Sequence, residues 1–113
     1  MMSWDEKVEN NVVVVKLGGE IDLASSPVMR KHLQSKVQSK SSAVVFDFDG
    51  VDYIDSSGIA TFVEYYKHSR SFQCKIAFAA MTPRVQSVFE LVRLGEIFPF
   101  HASVEEAVQS VSL

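Results

Sequence analysis

One cysteine, Cys74, stands among 113 residues, so the chain can form no internal disulfide, and a reducing cytoplasmic location is the expectation. No apolar run approaches the roughly 20 residues of a membrane span. The acidic opening (Met1, Met2, Ser3, Trp4, Asp5, Glu6) also lacks the apolar stretch of a signal peptide, so neither export nor membrane insertion is expected. With 11 basic and 14 acidic residues and a net charge of −3, there is no basic excess to recruit nucleic acid. Low-complexity tracts, repeats and linkers are absent as well. Three histidines, His32, His68 and His101, lie on separate elements without metal-ligand spacing. No glycine-rich phosphate loop runs into a lysine. No cofactor or metal is expected.

What remains is ordinary for a folded protein: 47% hydrophobic and 22% charged residues, the composition of one globular domain over residues 1–113. Short β-branched runs alternate with helical patterns. Strands are expected at 4–9 and 12–17, joined at Asn10-Asn11, residues that tolerate the positive φ of a tight hairpin. Gly18 and Gly19 are expected to break the second strand. Ser25, Ser26 and Pro27 read as a helix start, with a serine hydroxyl capping free N–H groups, and Met29, Leu33 and Val37 line one face. A buried strand at 43–48 follows, then a helix after Gly58 carrying Ile59, Phe62, Val63 and Tyr66. The next strand is expected at 74–80, with Cys74 as inert core. Thr82-Pro83 opens a third helix, Gly95 closes it as a left-handed cap, and a short strand occupies 97–100. Ser103 and Glu106 have capping-box spacing before a last helix. The expectation is an α/β fold: a mixed sheet of about five strands, antiparallel in its first pair and parallel elsewhere, with about four helices.

Asp47-Phe48-Asp49 resembles the first motif of haloacid dehalogenase-type phosphatases, in which paired carboxylates divide nucleophile and acid duties. Those enzymes need later acids to hold Mg²⁺, usually Asp, and no Asp follows Asp55. A strand end exposing polar residues is the simpler reading, and no catalysis is expected of the chain.

Asp55-Ser56-Ser57-Gly58 lies between a strand and a helix, where open α/β sheets commonly place sites. Helix capping accounts for one such residue well and for three in a row less well. Together with Gly19-Glu20-Ile21-Asp22, the run Tyr53-Ile54-Asp55-Ser56-Ser57-Gly58-Ile59 resembles the STAS domain family, specifically bacterial anti-sigma factor antagonists. Thr82-Pro83-Arg84-Val85 and Leu94-Gly95 match weaker family features. The resemblance implies a partner switch. The unphosphorylated antagonist binds an anti-sigma factor that is also a serine kinase, phosphorylation releases it, and a separate serine phosphatase resets the cycle. It places the phosphoacceptor at Ser56, with Ser57 the rival, more often the capping neighbour, and Thr61 a weaker candidate. It places partner contacts at Gly19, Glu20, Asp22, Asp55, Ser57, Gly58 and Ile59. A second reading is a soluble accessory subunit of a membrane transporter, because STAS domains serve those systems too.

The charge pattern suits a switch. No Lys or Arg occurs in 18–29 or 43–66, whereas Glu20, Asp22, Asp47, Asp49, Asp52, Asp55 and Glu64 do. A phosphate there meets acids and no base near in sequence. Arg84 has no assigned role at this level.

Overall fold

A computed structural model describes residues 2–112, so both ends of the expected 1–113 domain lie outside the described residues. The elements run β1 (Ser3–Glu9), β2 (Val12–Ile21), α1 (Ser26–Ser39), β3 (Ala43–Ile54), α2 (Ser56–Ser69), β4 (Lys75–Ala79), α3 (Pro83–Leu91), β5 (Phe100–His101) and α4 (Val104–Val111). The strands form one sheet in the order β1-β2-β3-β4-β5. β1 and β2 are antiparallel, and every later pairing is parallel. Asn10 and Asn11 close the hairpin with φ of 53° and 64°, the twist a two-residue turn requires. The α/β architecture is the expected one.

Alternation along the strands divides the core between two faces. Val15, Leu17, Val44, Phe46, Phe48 and Phe78 face α1, α2 and α3. Val12, Val14, Val45, Ala77 and Ala79 face α4 alone, where Ala107, Val108 and Val111 cover them. The first face is aromatic. Phe46 meets Phe62 edge to face at 5.3 Å and Phe78 meets Phe89 at 5.3 Å, arrangements favoured by the ring quadrupoles.

Several boundaries differ from expectation, each for a physical reason. β2 does not break at Gly18-Gly19 but continues to Ile21. β3 likewise runs to Ile54 instead of stopping near Phe48. The two stay paired because β3 advances three residues (Asp47 to Gly50) while β2 advances two, and then two (Val51 to Tyr53) while β2 advances one. These are bulges of one residue each. They explain why the buried positions of β3 change from a spacing of two at Phe46 and Phe48 to a spacing of three at Val51 and Ile54. Gly19 takes φ 79°, a region open to glycine without steric cost. Asp47 and Asp49 are therefore inside a strand and not at its end.

At the other boundaries, α3 stops at Leu91, and Arg93, not Gly95, carries the left-handed φ, 60°. Gly95 sits in a 3₁₀ turn behind the buried Leu94. The last strand moves from 97–100 to Phe100–His101, since the Ile97 amide donates to the Leu94 carbonyl and Pro99 has no N–H to give a ladder. Cys74 lies just before β4, outside the strand, half-buried and packed against the core. Among the described residues no helix is long and apolar enough to cross a membrane.

The bulges matter for function because they carry β2 and β3 forward together. Ile21 pairs with Ile54 at their C-terminal ends, so the segments that follow both strands emerge side by side.

Candidate functional site

Asp55 leaves β3 in an extended conformation, and its Oδ1 accepts the Ser57 amide at 2.9 Å and the Gly58 amide at 3.1 Å. This is N-cap geometry, and it moves the helix start. α2 begins at Ser56, not after Gly58, and Ser57 receives the cap instead of supplying it. Ser56, the first helical residue, is exposed, and its hydroxyl has no hydrogen-bond partner among the described residues. Ser57 is half-buried. Thr61 is 1% exposed and its hydroxyl donates to the Gly58 carbonyl at 2.6 Å, so no enzyme can reach it without local unfolding.

Gly58 locks this corner to β2. A Cβ there would collide with the Ile21 carbonyl oxygen and would lie 2.8 Å from Ile21 Cγ2 and 2.9 Å from Ile54 Cγ1. The missing side chain lets the first turn of α2 rest on the end of β2. The Asp55 amide also donates to the Ile21 carbonyl at 3.3 Å.

The loop after β2 is held by Ser25. Its hydroxyl accepts the Asp22 amide at 2.9 Å and donates to the Glu20 carbonyl at 2.8 Å, while the Ser25 amide donates to Asp22 Oδ1 at 3.1 Å. The hydroxyl thus points back into the loop and makes no cap bond to α1, contrary to expectation. Leu23 in this turn and Val28 in the first turn of α1 face outward, 73% and 52% exposed. Met2, Glu20, Asp22, Ala24, Ser25 and Val28 line a groove of about 430 Å³ beside them.

The structure therefore brings Glu20, Asp22, Asp55, Ser56 and Ser57 to one corner, with Gly19 one step back along β2. Ile59 is buried at 7% exposure in the main core, and Gly58 is buried as well. Of the expected contact residues, these two shape the corner and show little of themselves. Two expected acids are redistributed. Glu64 pairs with Arg30 of α1 at 2.9 Å, and Asp47 lies in a hollow on the α4 side with Asp5, Lys7 and Lys16.

The sequence matched Thr82-Pro83-Arg84-Val85 to a weaker family feature but gave Arg84 no role and did not place it beside the site. Tyr53, Ile54, Arg84, Val85 and Val88 line a groove of about 330 Å³ between the end of β3 and α3. Arg84 follows Asp55 by 29 positions, and only the return of the chain through β4 brings it close. No local signal could have found it.

Residues 3–107 match the STAS domain family. The chain belongs to this family. It is 29% identical to the anti-sigma-B factor antagonist of Bacillus subtilis over 93% of this chain and 95% of that one. An anti-sigma factor antagonist from Mycobacterium paratuberculosis superposes with a TM-score of 0.90 at 22% identity, covering 98% of this chain and 94% of that chain. SpoIIAA, an anti-sigma factor antagonist, superposes in its unphosphorylated form with a TM-score of 0.81 at 22% identity, covering 96% of each chain. The phosphorylated form of SpoIIAA, a Bacillus cell fate determinant, gives 0.73 at 21%, over 96% and 99%. At these identities the structural matches establish the shared fold.

Proposed function

We propose that this STAS domain is an anti-sigma factor antagonist that works by partner switching. Unphosphorylated, it binds an anti-sigma factor that is also a serine kinase, through the corner formed by Glu20, Asp22, Asp55 and Ser57. The kinase transfers the γ-phosphoryl group of ATP to the Ser56 hydroxyl and the complex dissociates. A serine phosphatase hydrolyses the ester and restores binding. The setting is the cytoplasm, where ATP and sigma factors meet, and the chain itself catalyses nothing.

The observation that carries this reading is the state of Ser56: exposed, without a hydrogen-bond partner among the described residues, and set beside a loop bearing acids and exposed apolar side chains. Phosphorylation adds about −1.5 to −2 units of charge. The N-terminus of α2 offsets this by only about 0.3–1 kcal/mol at an exposed position. For a carboxylate at an assumed ~6 Å, Coulomb repulsion of the phosphate is roughly 1–5 kcal/mol between water-like and intermediate dielectric, which disfavours the phosphorylated corner itself. A hydrated, dianionic ester at the centre of the contact must be given room and stripped of water, so a partner surface fitted to the free Ser56 hydroxyl rejects the phosphorylated corner.

The relatives supply the partner class, since the Bacillus subtilis protein is named an antagonist of an anti-sigma factor and SpoIIAA is described in a phosphorylated form. The test is affinity for purified anti-sigma factors of the source organism. Ser56→Ala is expected to bind like the wild type and Ser56→Asp at least tenfold more weakly; equal affinities would remove the charge switch.

A further inference from the structure

We infer that Arg84 and the groove it borders form a second recognition subsite, one that takes a carboxylate-bearing apolar segment of the anti-sigma partner and fixes the partner's orientation. This inference rests on the partner-switching reading and adds a positive determinant to a surface so far described as acidic.

Three observations carry it. The groove is floored by the buried Ile54 and Val85 and walled by Val88 and the ring of Tyr53, and Tyr53 is 45% exposed although it is a large aromatic. The guanidinium of Arg84 stands at its rim, exposed, with no ion pair and no hydrogen bond among the described residues. Finally, the groove is continuous with the proposed interface, because Tyr53 and Ile54 run directly into Asp55 and Ser56.

Charge complementarity decides the occupant. Residues 18–29 and 43–66 contain no base, so Arg84 is the cation that the chain's return through β4 delivers to this end of the sheet. An aliphatic or aromatic side chain of the partner fills the groove, and an Asp or Glu beside it meets the guanidinium, which offers paired donors to a carboxylate. The footprint is then dipolar: Glu20 and Asp22 on the β2 side of Ser56, and Arg84 on the α3 side. A partner docked the other way round meets like charge at both ends. Such an arrangement governs specificity more than bulk affinity.

The experiment measures binding of the full chain to the anti-sigma factor that captures the wild type, by titration calorimetry at two salt concentrations. Arg84→Glu is expected to weaken binding at least tenfold and Arg84→Lys by a smaller factor, since lysine keeps the charge but loses the paired donors, with unchanged thermal unfolding because the side chain is exposed. A partner variant with one surface Asp or Glu changed to Lys is expected to restore binding to Arg84→Glu and to weaken binding to the wild type. If Arg84→Glu binds like the wild type, or Arg84→Lys falls as far as Arg84→Glu, or no charge-reversed partner rescues, the subsite is refuted while the switch stands. If the wild type binds no anti-sigma factor, the functional reading itself fails.

Discussion

The carbonyl oxygen of Ile21 accepts the amide of Asp55 at 3.3 Å, and this bond joins the two halves of the candidate site. Ile21 ends β2 and leads into the loop bearing Asp22, while Asp55 ends β3 and caps the helix bearing Ser56. The site is rigid at its base, because that base is the parallel pairing of two strands.

Gly58 seals the same junction from the helix side. Replacing glycine by alanine in a helix ordinarily stabilises a protein by about 0.4–1 kcal/mol where the backbone allows it. Here the added methyl meets backbone, which cannot swing aside. Gly58→Ala is therefore expected to lower the unfolding free energy by about 1–3 kcal/mol, the usual range for overpacking. Urea unfolding measures it, and a variant as stable as the wild type would show that the contact with Ile21 is loose.

The cap makes a separate prediction. Asp55→Ala removes the acceptor of two amides and is expected to cost about 0.5–2 kcal/mol. Asp55→Asn keeps an acceptor of nearly equal rank as a cap and should stay within a few tenths of a kcal/mol of the wild type. Comparing both by chemical denaturation separates the structural role of this residue from its charge. Equal losses in the two variants would argue that the charge, not the hydrogen bonds, holds the turn.

At the sheet edge, Glu6 accepts Lys36 Nζ at 2.6 Å and Trp4 Nε1 at 2.7 Å. Burial alone would push the Glu6 carboxyl upward, but these hydrogen bonds and the nearby positive charge outweigh it and hold the group below the ordinary glutamate value. A carboxyl with a depressed folded-state pKa contributes stability above its unfolded value, about 4.3, and loses it as the pH falls through the folded value. Lys36→Met is therefore expected to cost stability at pH 7, by no more than about 1 kcal/mol because the pair is partly exposed. The difference should shrink below about pH 4. Unfolding curves at pH 7 and pH 3.5 check this, and a penalty independent of pH would assign the effect to lost lysine packing.

Much of this was legible in the chain itself. Short β-branched runs and apolar stripes such as Met29 with Leu33 mark elements whose burial is local and repetitive. The Asp-Ser-Ser-Gly run marked the site because capping needs short polar side chains at fixed offsets. The bulges were not legible, since they depend on which residue of β2 faces which residue of β3, and Gly18 and Gly19 read as a stop when Gly18 permits a close approach of Gly50 and Gly19 a positive φ. Gly58 likewise reads as a helix-entry glycine, and its contact with Ile21 appears only once the strands are paired. Arg84 had no assignable role for the same reason: its neighbours Tyr53 and Ile54 lie about 30 positions earlier.

The central claim is that charge placed on Ser56 ends an interaction, and the most direct measurement is calorimetric affinity for the captured anti-sigma factor before and after phosphorylation, with the modified residue mapped by mass spectrometry. The account predicts a single phosphate on Ser56 and an affinity at least tenfold lower. A phosphate on Ser57 instead, or unchanged affinity with Ser56 fully modified, would contradict it.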